Sequence, residues 1–344
     1  MRAVVVEKFG TRPTVQVVRD PVASPDGVVV RVEATGLCRS DHHAWAGHDD
    51  TVTLPHVPGH ELVGTIESAG KDVKHFTVGD RVTTPFVCGC GTCRECAAGD
   101  SHVCPYQTQP GFTDPGSFAE LVALRHADVN LVRVPDHLDA GAAAGLGCRF
   151  ATAYRGLIHR AALTTGETVV VVGCGGVGLS AVMIAAAIGA DVVAVDIASA
   201  ALDLAAGFGA ARTVNTAGLS DAAAGAAIAA AAPGGADVSV EALGREQTTA
   251  AAIRSLRPRG RHVQIGLFAE PPHIPMAHVI AGELSVFGSH GMPAHDYPEL
   301  MALVESGRLR PGDLVTETIT LDDVPDALAS MDSRHGHGVT MIRP

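Results

Sequence analysis

Apolar and β-branched positions in the first third of the chain fall in short runs, at residues 3–7, 27–34, 62–68 and 79–84, separated by Gly, Pro and Asp turns. That pattern predicts a compact β body. Near residue 140 the pattern changes. Ala, Gly and Val take over, and strand-like runs alternate with helical ones: strand 168–172, helix 177–188, strand 191–195, helix 199–207, a helical stretch at 222–232, strand 237–241, helix 246–256 and strand 261–266. Apolar strands alternating with helices specify a parallel sheet wound on both faces. Residues 221–232 are Ala-rich enough to count as biased composition, but Ala is the best helix former, so the stretch reads as a helix. Two further strand-like runs, 283–288 and 338–342, close the chain. The expected class is α/β: a β body followed by a doubly wound parallel-sheet domain.

The first strand-to-helix turn of that second domain reads Gly173-Cys174-Gly175-Gly176-Val177-Gly178, a G-x-G-x-x-G pattern. Gly173 permits the tight turn, Gly175 lets backbone approach a pyrophosphate, and Gly178 allows helix and strand to pack closely. The helix that follows offers unpaired N–H groups and a positive dipole end to phosphate, with Gly176 and Val177 in its first turn. Asp196 ends the next strand, 18 residues after Gly178, where a carboxylate accepts hydrogen bonds from ribose hydroxyls and repels a 2′-phosphate. An ordinary βα turn and a helix N-cap are the plainer readings of these residues. Both features in register predict a dinucleotide site that prefers NAD to NADP.

Composition narrows the class. With 344 residues, 47% hydrophobic and 18% charged, the chain has ample core for two domains or one with a second body. The formal charge of −12, with no Lys/Arg run, argues against nucleic acid or an anionic membrane as partner. Residues 168–190 are uncharged and long enough to raise a membrane span, but Gly173, Gly175, Gly176 and Gly178 cut them in two. Residues 1–4 run directly into a strand-like pattern without a signal-peptide core.

Eight cysteines are present, five of them between Cys88 and Cys104. In a large chain without a secretion signal, such crowding reads as metal ligation in a reducing, cytoplasmic compartment. Cys90-x₂-Cys93-x₂-Cys96-x₇-Cys104 puts four thiols on one short loop. They match a closed tetrahedral zinc site that holds a loop with little core of its own. Free thiols or a redox pair are the alternatives, and Cys88 reads as a bystander. Upstream, Gly36-Leu37-Cys38-Arg39-Ser40-Asp41 and Pro58-Gly59-His60-Glu61 bring a thiol, an imidazole and a carboxylate into one stretch, and Cys148 adds a second thiol far downstream. A catalytic zinc takes three protein ligands and leaves a fourth position for water or substrate.

Together these residues resemble the zinc-dependent medium-chain alcohol dehydrogenases over nearly the whole chain. The features that carry the likeness are the Gly-Leu-Cys start, Gly59-His60-Glu61, Val78-Gly79-Asp80-Arg81-Val82, the four-Cys lobe, Cys148, and the Gly-rich turn with its acid. The resemblance implies a GroES-like catalytic domain at 1–146 with a structural zinc lobe at 88–104, a Rossmann NAD-binding domain at 147–288, and a return to the first domain at 289–344. It implies NAD and two zinc ions per chain, one catalytic and one structural. Cys38, His60 and Cys148 look like the catalytic ligands, the Cys₂His set already known from alcohol dehydrogenases. Glu61 matches a carboxylate able to approach that metal transiently, and Asp41 an acid that hydrogen-bonds the ligand His. Ser40 and His43 fall on the two protein positions of a proton relay, Thr152 on a nicotinamide contact, and Phe86 on a substrate-pocket aromatic. Trp45 resembles a residue of microbial ethanol-active members.

Two departures bear on specificity. Ala201 stands where a Lys often follows the ribose acid, which weakens the adenosine side. Cys148 stands where polyol-active relatives commonly carry a carboxylate, which favours simple alcohols or aldehydes. The implied chemistry is interconversion of an alcohol with an aldehyde or ketone. A zinc ion lowers the pKa of bound water from about 15.7 to about 7, and an alcohol hydroxyl responds in the same sense. Hydride then passes to or from nicotinamide, and the proton leaves through Ser40, a ribose hydroxyl and His43, an imidazole whose ordinary pKa of about 6.5 suits the last step. The alternatives are a polyol, amino-alcohol or formaldehyde-type dehydrogenase on the same scaffold, and, from another class, a non-catalytic NAD- and zinc-binding protein. The strand-like run 283–288 suggests pairing across a two-fold into a homodimer or homotetramer. His102, His126, His137, His290, His335 and His337 read as structural or surface residues.

Overall fold

The computed structural model describes residues 1–331 and 337–344; His335 lies outside them. The chain divides into two compact units, Met1–Ala151 with Gly291–Pro344, and Thr152–His290.

The first unit is built on β-structure. Strands β1 (Arg2–Val5) and β2 (Thr14–Val17) form a two-stranded antiparallel sheet. The main sheet uses β3 (Val28–Leu37), β4 (Leu62–Ala69), β5 (Arg81–Thr83), β6 (Leu121–Leu124) and β7 (Val132–Arg133). Its core is aliphatic, with Val28, Val30, Leu62, Ile66 and Val82 essentially without exposure. The C-terminal segment completes this sheet. Its last strand lies antiparallel beside β3, with Thr340 opposite Leu37 and Ile342 opposite Thr35. This pairing fixes the end of β3, from which Cys38 emerges.

The second unit holds β8 (Thr168–Val172), β9 (Asp191–Asp196), β10 (Arg212–Asn215), β11 (Ala236–Glu241), β12 (Leu256–Gln264) and β13 (Ser285–Gly288). All pairings are parallel, in the order β10-β9-β8-β11-β12-β13. In chain order this is 3-2-1-4-5-6, the arrangement of Rossmann sheets. Val169, Val170, Val171, Val192, Val193 and Ala194 have no exposure, as strands covered by helices on both faces require. The order reverses between β8 and β11, and ligands of such sheets bind beyond the strand carboxyl ends at that reversal. The Gly-rich turn leaves the carboxyl end of β8, its neighbour.

Two more strands belong to the first unit: β14 (Val315–Thr320) and β15 (Val339–Arg343), the strand beside β3. The sequence pattern does not predict β2, β6 and β7 in the first unit, nor β10 and β14. The last two share a cause. Both are short and rich in polar residues, and β14 alternates half-buried with exposed side chains, so neither forms an apolar run. The helix expected at 246–256 ends at Arg254, because Leu256 already pairs in β12. Arg259, with φ +64, interrupts the start of that strand. Among the described residues, no helix is long and apolar enough to cross a membrane.

In the Gly-rich turn, a Cβ on Gly178 would overlap the Gly173 carbonyl oxygen, so the helix can approach the strand only without a side chain there. Gly178→Ala is expected to cost about 1–3 kcal/mol through overpacking, read as a lower midpoint in thermal unfolding. An unchanged midpoint would show that the turn is looser than its geometry requires.

Candidate active site and metal centres

One group of donors forms at the end of β3. Leu37 gives way to Cys38, the N-cap of helix Arg39–Ala46. Asp41, in the first turn and fully buried, binds three N–H groups. Its Oδ2 accepts from the Cys38 backbone at 2.9 Å, and its Oδ1 accepts from Gly59 N at 3.1 Å and from His60 Nδ1 at 2.9 Å. Because Nδ1 donates its proton to a carboxylate, the lone pair of a neutral His60 resides on Nε2. That Nε2 is buried and has no hydrogen-bond partner. Ligand atoms of Cys38, His60, Glu61 and Cys148 lie within 4.8 Å of one another, all four residues buried.

A buried polar nitrogen without a partner is costly and needs an explanation. Two thiols and a carboxylate around it make the explanation a cation, and the N, S and O donors suit zinc. The protonation states agree. A hydrogen bond from Cys148 pulls the Cys38 thiol well below its ordinary pKa, and the same contact together with burial holds Cys148 well above it. Burial works to depress His60, yet Asp41 and the Cys38 thiolate together hold it well above the imidazole value. The group is thus rich in negative charge and retains protons that a metal ion displaces.

The surroundings complete the pocket. Cys148 sits in a wide helical turn, Leu146–Phe150. The His60 ring packs edge-on against Phe86, with centroids 6.0 Å apart, and against Phe112 at 5.2 Å. Phe86 also packs in one apolar cluster with Cys38, Val87 and Cys148. Ser40 is half-buried, its Oγ 3.9 Å from Cys38 Sγ. His43, one turn further along the helix, is exposed and faces His48 with Nδ1 atoms 3.4 Å apart. Trp45 is built into the core beside Val4, Val6 and Phe118, and its indole N–H is donated to the Thr11 carbonyl at 2.6 Å.

Arg149 was not anticipated. It is buried, and its Nε donates to Glu61 Oε1 at 2.8 Å, with a second contact from its terminal nitrogen to Oε2. The available signal was its place as a lone charge in the apolar stretch 140–154. Phe112 and His48 carry no sequence signal, because neither falls in a recognisable spacing.

The second group is Cys90, Cys93, Cys96 and Cys104, with sulfur atoms within 4.8 Å of one another and no disulfide among them. Backbone N–H groups point at the sulfurs: Thr92 and Cys96 donate to Cys90 and Cys93, while Cys90 and Tyr106 donate to Cys104. Thr92 pulls Cys90 down to about 6, whereas, against the N–H of Cys96, burial and neighbouring thiols push Cys93 up to about 12. Four converging sulfurs cannot all ionise without a cation, and the set fits tetrahedral zinc. Cys88 belongs to neither group; it is buried, hydrogen-bonded with Thr84 and pushed up to about 11 by burial.

In the second unit, Gly173 adopts φ +93, and its N–H donates to the Val195 carbonyl at 2.8 Å. A Cβ on Gly175 would meet nothing within 4 Å, so the start of helix Gly176–Ile188 opens onto free space. Half-buried Gly176 and Val177 form its first turn, ahead of buried Gly178. Asp196 ends β9 and buttresses the turn, accepting from Cys174 N at 2.6 Å and from Ala198 N at 2.9 Å. Both bonds are to backbone, so each oxygen has lone pairs left for a ribose. The following residues, Ile197 to Ala201, include no cation. Thr152 is buried, and its carbonyl accepts from Ser289 Oγ at 3.0 Å.

A Rossmann sheet with an open Gly-rich turn, together with a buried Cys/His donor group and a four-Cys lobe, defines a metal-dependent, dinucleotide-using oxidoreductase. Comparison with known proteins agrees. Residues 24–136 match the alcohol dehydrogenase GroES-like domain, and residues 176–306 match the zinc-binding dehydrogenase family. An alcohol dehydrogenase of Geobacillus stearothermophilus is 34% identical, covering 96% of both chains. An NAD-dependent alcohol dehydrogenase of Saccharolobus solfataricus is 30% identical over the full length of both. The solved structure of alcohol dehydrogenase TADH from Thermus sp. ATN1 superposes with a TM-score of 0.90 at 30% identity, covering 100% of this chain and 99% of that one. The chain belongs to the zinc-dependent medium-chain alcohol dehydrogenase family.

Asp41→Asn is expected to lower metal affinity at the Cys38 group by about 10- to 100-fold, since an amide cannot accept from all three N–H groups. Chelator competition measures this, with the four-Cys lobe retaining its metal as the internal control. Unchanged affinity would mean that His60 needs no carboxylate behind it.

Proposed function

We propose that the chain is an NAD-dependent dehydrogenase that interconverts an alcohol with its aldehyde or ketone at a zinc ion held by Cys38, His60 and Cys148. A second zinc, held by Cys90, Cys93, Cys96 and Cys104, has a structural role. The observation that carries the reading is the buried, unpartnered Nε2 of His60 within 4.8 Å of two thiols. When bound, zinc supplies positive charge that acidifies an alcohol hydroxyl and polarises a carbonyl, and NAD supplies the nicotinamide that accepts or returns hydride.

The protein's part is to hold, orient and move protons. Asp41 fixes the His60 tautomer and so aims Nε2. Phe86 forms an apolar wall that keeps water from the reacting carbon. Ser40 takes the substrate hydroxyl proton, and His43, exposed on the next turn of the same helix, discharges a proton to solvent. Thr152 contacts the nicotinamide end of the cofactor. The turn Gly173–Gly178 receives the pyrophosphate, with Gly175, Gly176 and Val177 offering backbone N–H groups. Asp196 accepts from the adenosine ribose, and the absence of a cation from 197 to 201 favours NAD over NADP. That none of the eight cysteines is in a disulfide suits a reducing, cytoplasmic setting. β13 is an edge strand with Val286 partly exposed, which supports pairing of two copies into a homodimer or homotetramer.

The test is the initial rate of NADH formation by zinc-loaded protein over primary, secondary and aromatic alcohols, polyols and L-threonine. Turnover of a simple alcohol is expected, with about two zinc per chain by elemental analysis. Cys38→Ser is expected to abolish turnover while NADH binding, followed by fluorescence, is retained; full activity in that variant would sink the proposal. Turnover confined to L-threonine or polyols would move the assignment to the amino-alcohol or polyol branch. Asp196→Asn is expected to raise KM for NAD about tenfold, the loss of a charged hydrogen bond, and to lower KM for NADP, because the charge that repels a 2′-phosphate is gone. Equal KM values for NAD in the two proteins would remove Asp196 from the ribose site.

A further inference from the structure

The Glu61 carboxylate is fully buried and belongs to the same donor group as Cys38, His60 and Cys148, yet both its oxygens are bonded to an arginine. Arg149 grips it three ways: Nε donates to Oε1 at 2.8 Å, a terminal nitrogen pairs with Oε2, and the Arg149 backbone N–H donates to Oε1 at 3.1 Å. The same terminal nitrogen donates to the Leu37 carbonyl at 3.0 Å, which ties the guanidinium to the strand leading into Cys38. The slot for the carboxylate is also shaped for it. A Cβ on Gly36 would collide with Oε2, so the carboxylate rests on a strand position that lacks a side chain. Gly36 has no positive φ and pairs with Met341 in the sheet, so its missing side chain has no backbone explanation.

A carboxylate this near two thiols and an imidazole is a competent fourth zinc ligand. A fourth protein ligand would close the position that substrate needs. We infer that Arg149 is a positioning residue that parks Glu61 over Gly36 and so keeps one coordination position of the metal open. The inference rests on the reading of Cys38, His60 and Cys148 as a metal centre. A bidentate guanidinium suits the task better than an ammonium, because its planar fork matches both carboxylate oxygens and fixes their orientation.

The experiment uses full-length protein with cobalt(II) in place of zinc, and imidazole as a probe of the open position. The d–d absorption reports imidazole binding at that position. Wild-type protein is expected to bind imidazole. Arg149→Met frees the carboxylate, and Gly36→Ala evicts it while retaining the guanidinium, whose terminal nitrogen, 3.2 Å from the new Cβ, has to give only slightly. Each is expected to change the cobalt spectrum before any imidazole is added. Each is also expected to weaken imidazole binding by about tenfold or more, because an intramolecular ligand competes at high effective concentration. Adding Glu61→Gln to either variant is expected to restore imidazole binding to near the wild-type value, a rescue that a merely structural role of Arg149 would not give. If Arg149→Met does not fold, Gly36→Ala carries the test alone.

Wild-type-like imidazole affinity in both single variants, or weakened binding that Glu61→Gln does not rescue, would overturn the inference. Wild-type protein that takes up one cobalt, in the four-Cys lobe only, would overturn the metal-centre reading and the inference with it. Wild-type protein that takes up both cobalt ions but binds no imidazole would overturn the inference alone.

Discussion

The Asp41 carboxylate is the constraint on which the rest of the site depends. It is buried without solvent and accepts three hydrogen bonds, from the Cys38 backbone, the Gly59 backbone and the His60 ring. One side chain therefore caps the helix that carries Ser40 and His43, anchors the loop that carries His60, and chooses which imidazole nitrogen is free. Thr35, Gly36 and Leu37 reach this point in fixed register because β15 runs beside β3. The C-terminal strand thus contributes no ligand but sets where the first ligand stands.

Charge balance explains why the site is built as it is. With both thiols ionised, Cys38, Cys148, Glu61 and Asp41 place four negative side chains in the interior, against the single guanidinium of Arg149. Leaving that imbalance buried is prohibitive. Protein alone resolves it by retaining protons, which is why Cys148 is held well above its ordinary pKa while Cys38 lies well below. A divalent cation resolves it more completely. Within this balance Arg149 has two effects, since it removes one charge from the account and fixes the direction in which Glu61 points.

Much of this was legible in the sequence, for identifiable reasons. The strand-to-helix turn at Gly173–Gly178 and the acid at Asp196 are separated by one helix of regular length, so periodicity alone places them at neighbouring strand ends. Four thiols on one loop are legible because loop closure brings them together whatever the fold. Cys148 is different. Nothing local relates it to Cys38, and only resemblance to a family joined the two. Arg149 carries only a weak signal, a lone Arg in an Ala/Gly-rich stretch that must find a buried partner, and nothing local says which one. β10 and β14 escaped because polar strands at sheet margins lack the apolar run that marks interior strands. Trp45, read as a clue to substrate, is held in the core by its bond to the Thr11 carbonyl.

The central claim is that a zinc ion occupies the space faced by His60 Nε2. Anomalous diffraction at the zinc edge from crystals of the zinc-loaded protein addresses it most directly. Two peaks per chain are expected, one among Cys90, Cys93, Cys96 and Cys104, and one bounded by Cys38 Sγ, His60 Nε2 and Cys148 Sγ, with Glu61 still bound to Arg149. A single peak confined to the four-Cys lobe, with His60 Nε2 bonded to an ordered water instead, would contradict it.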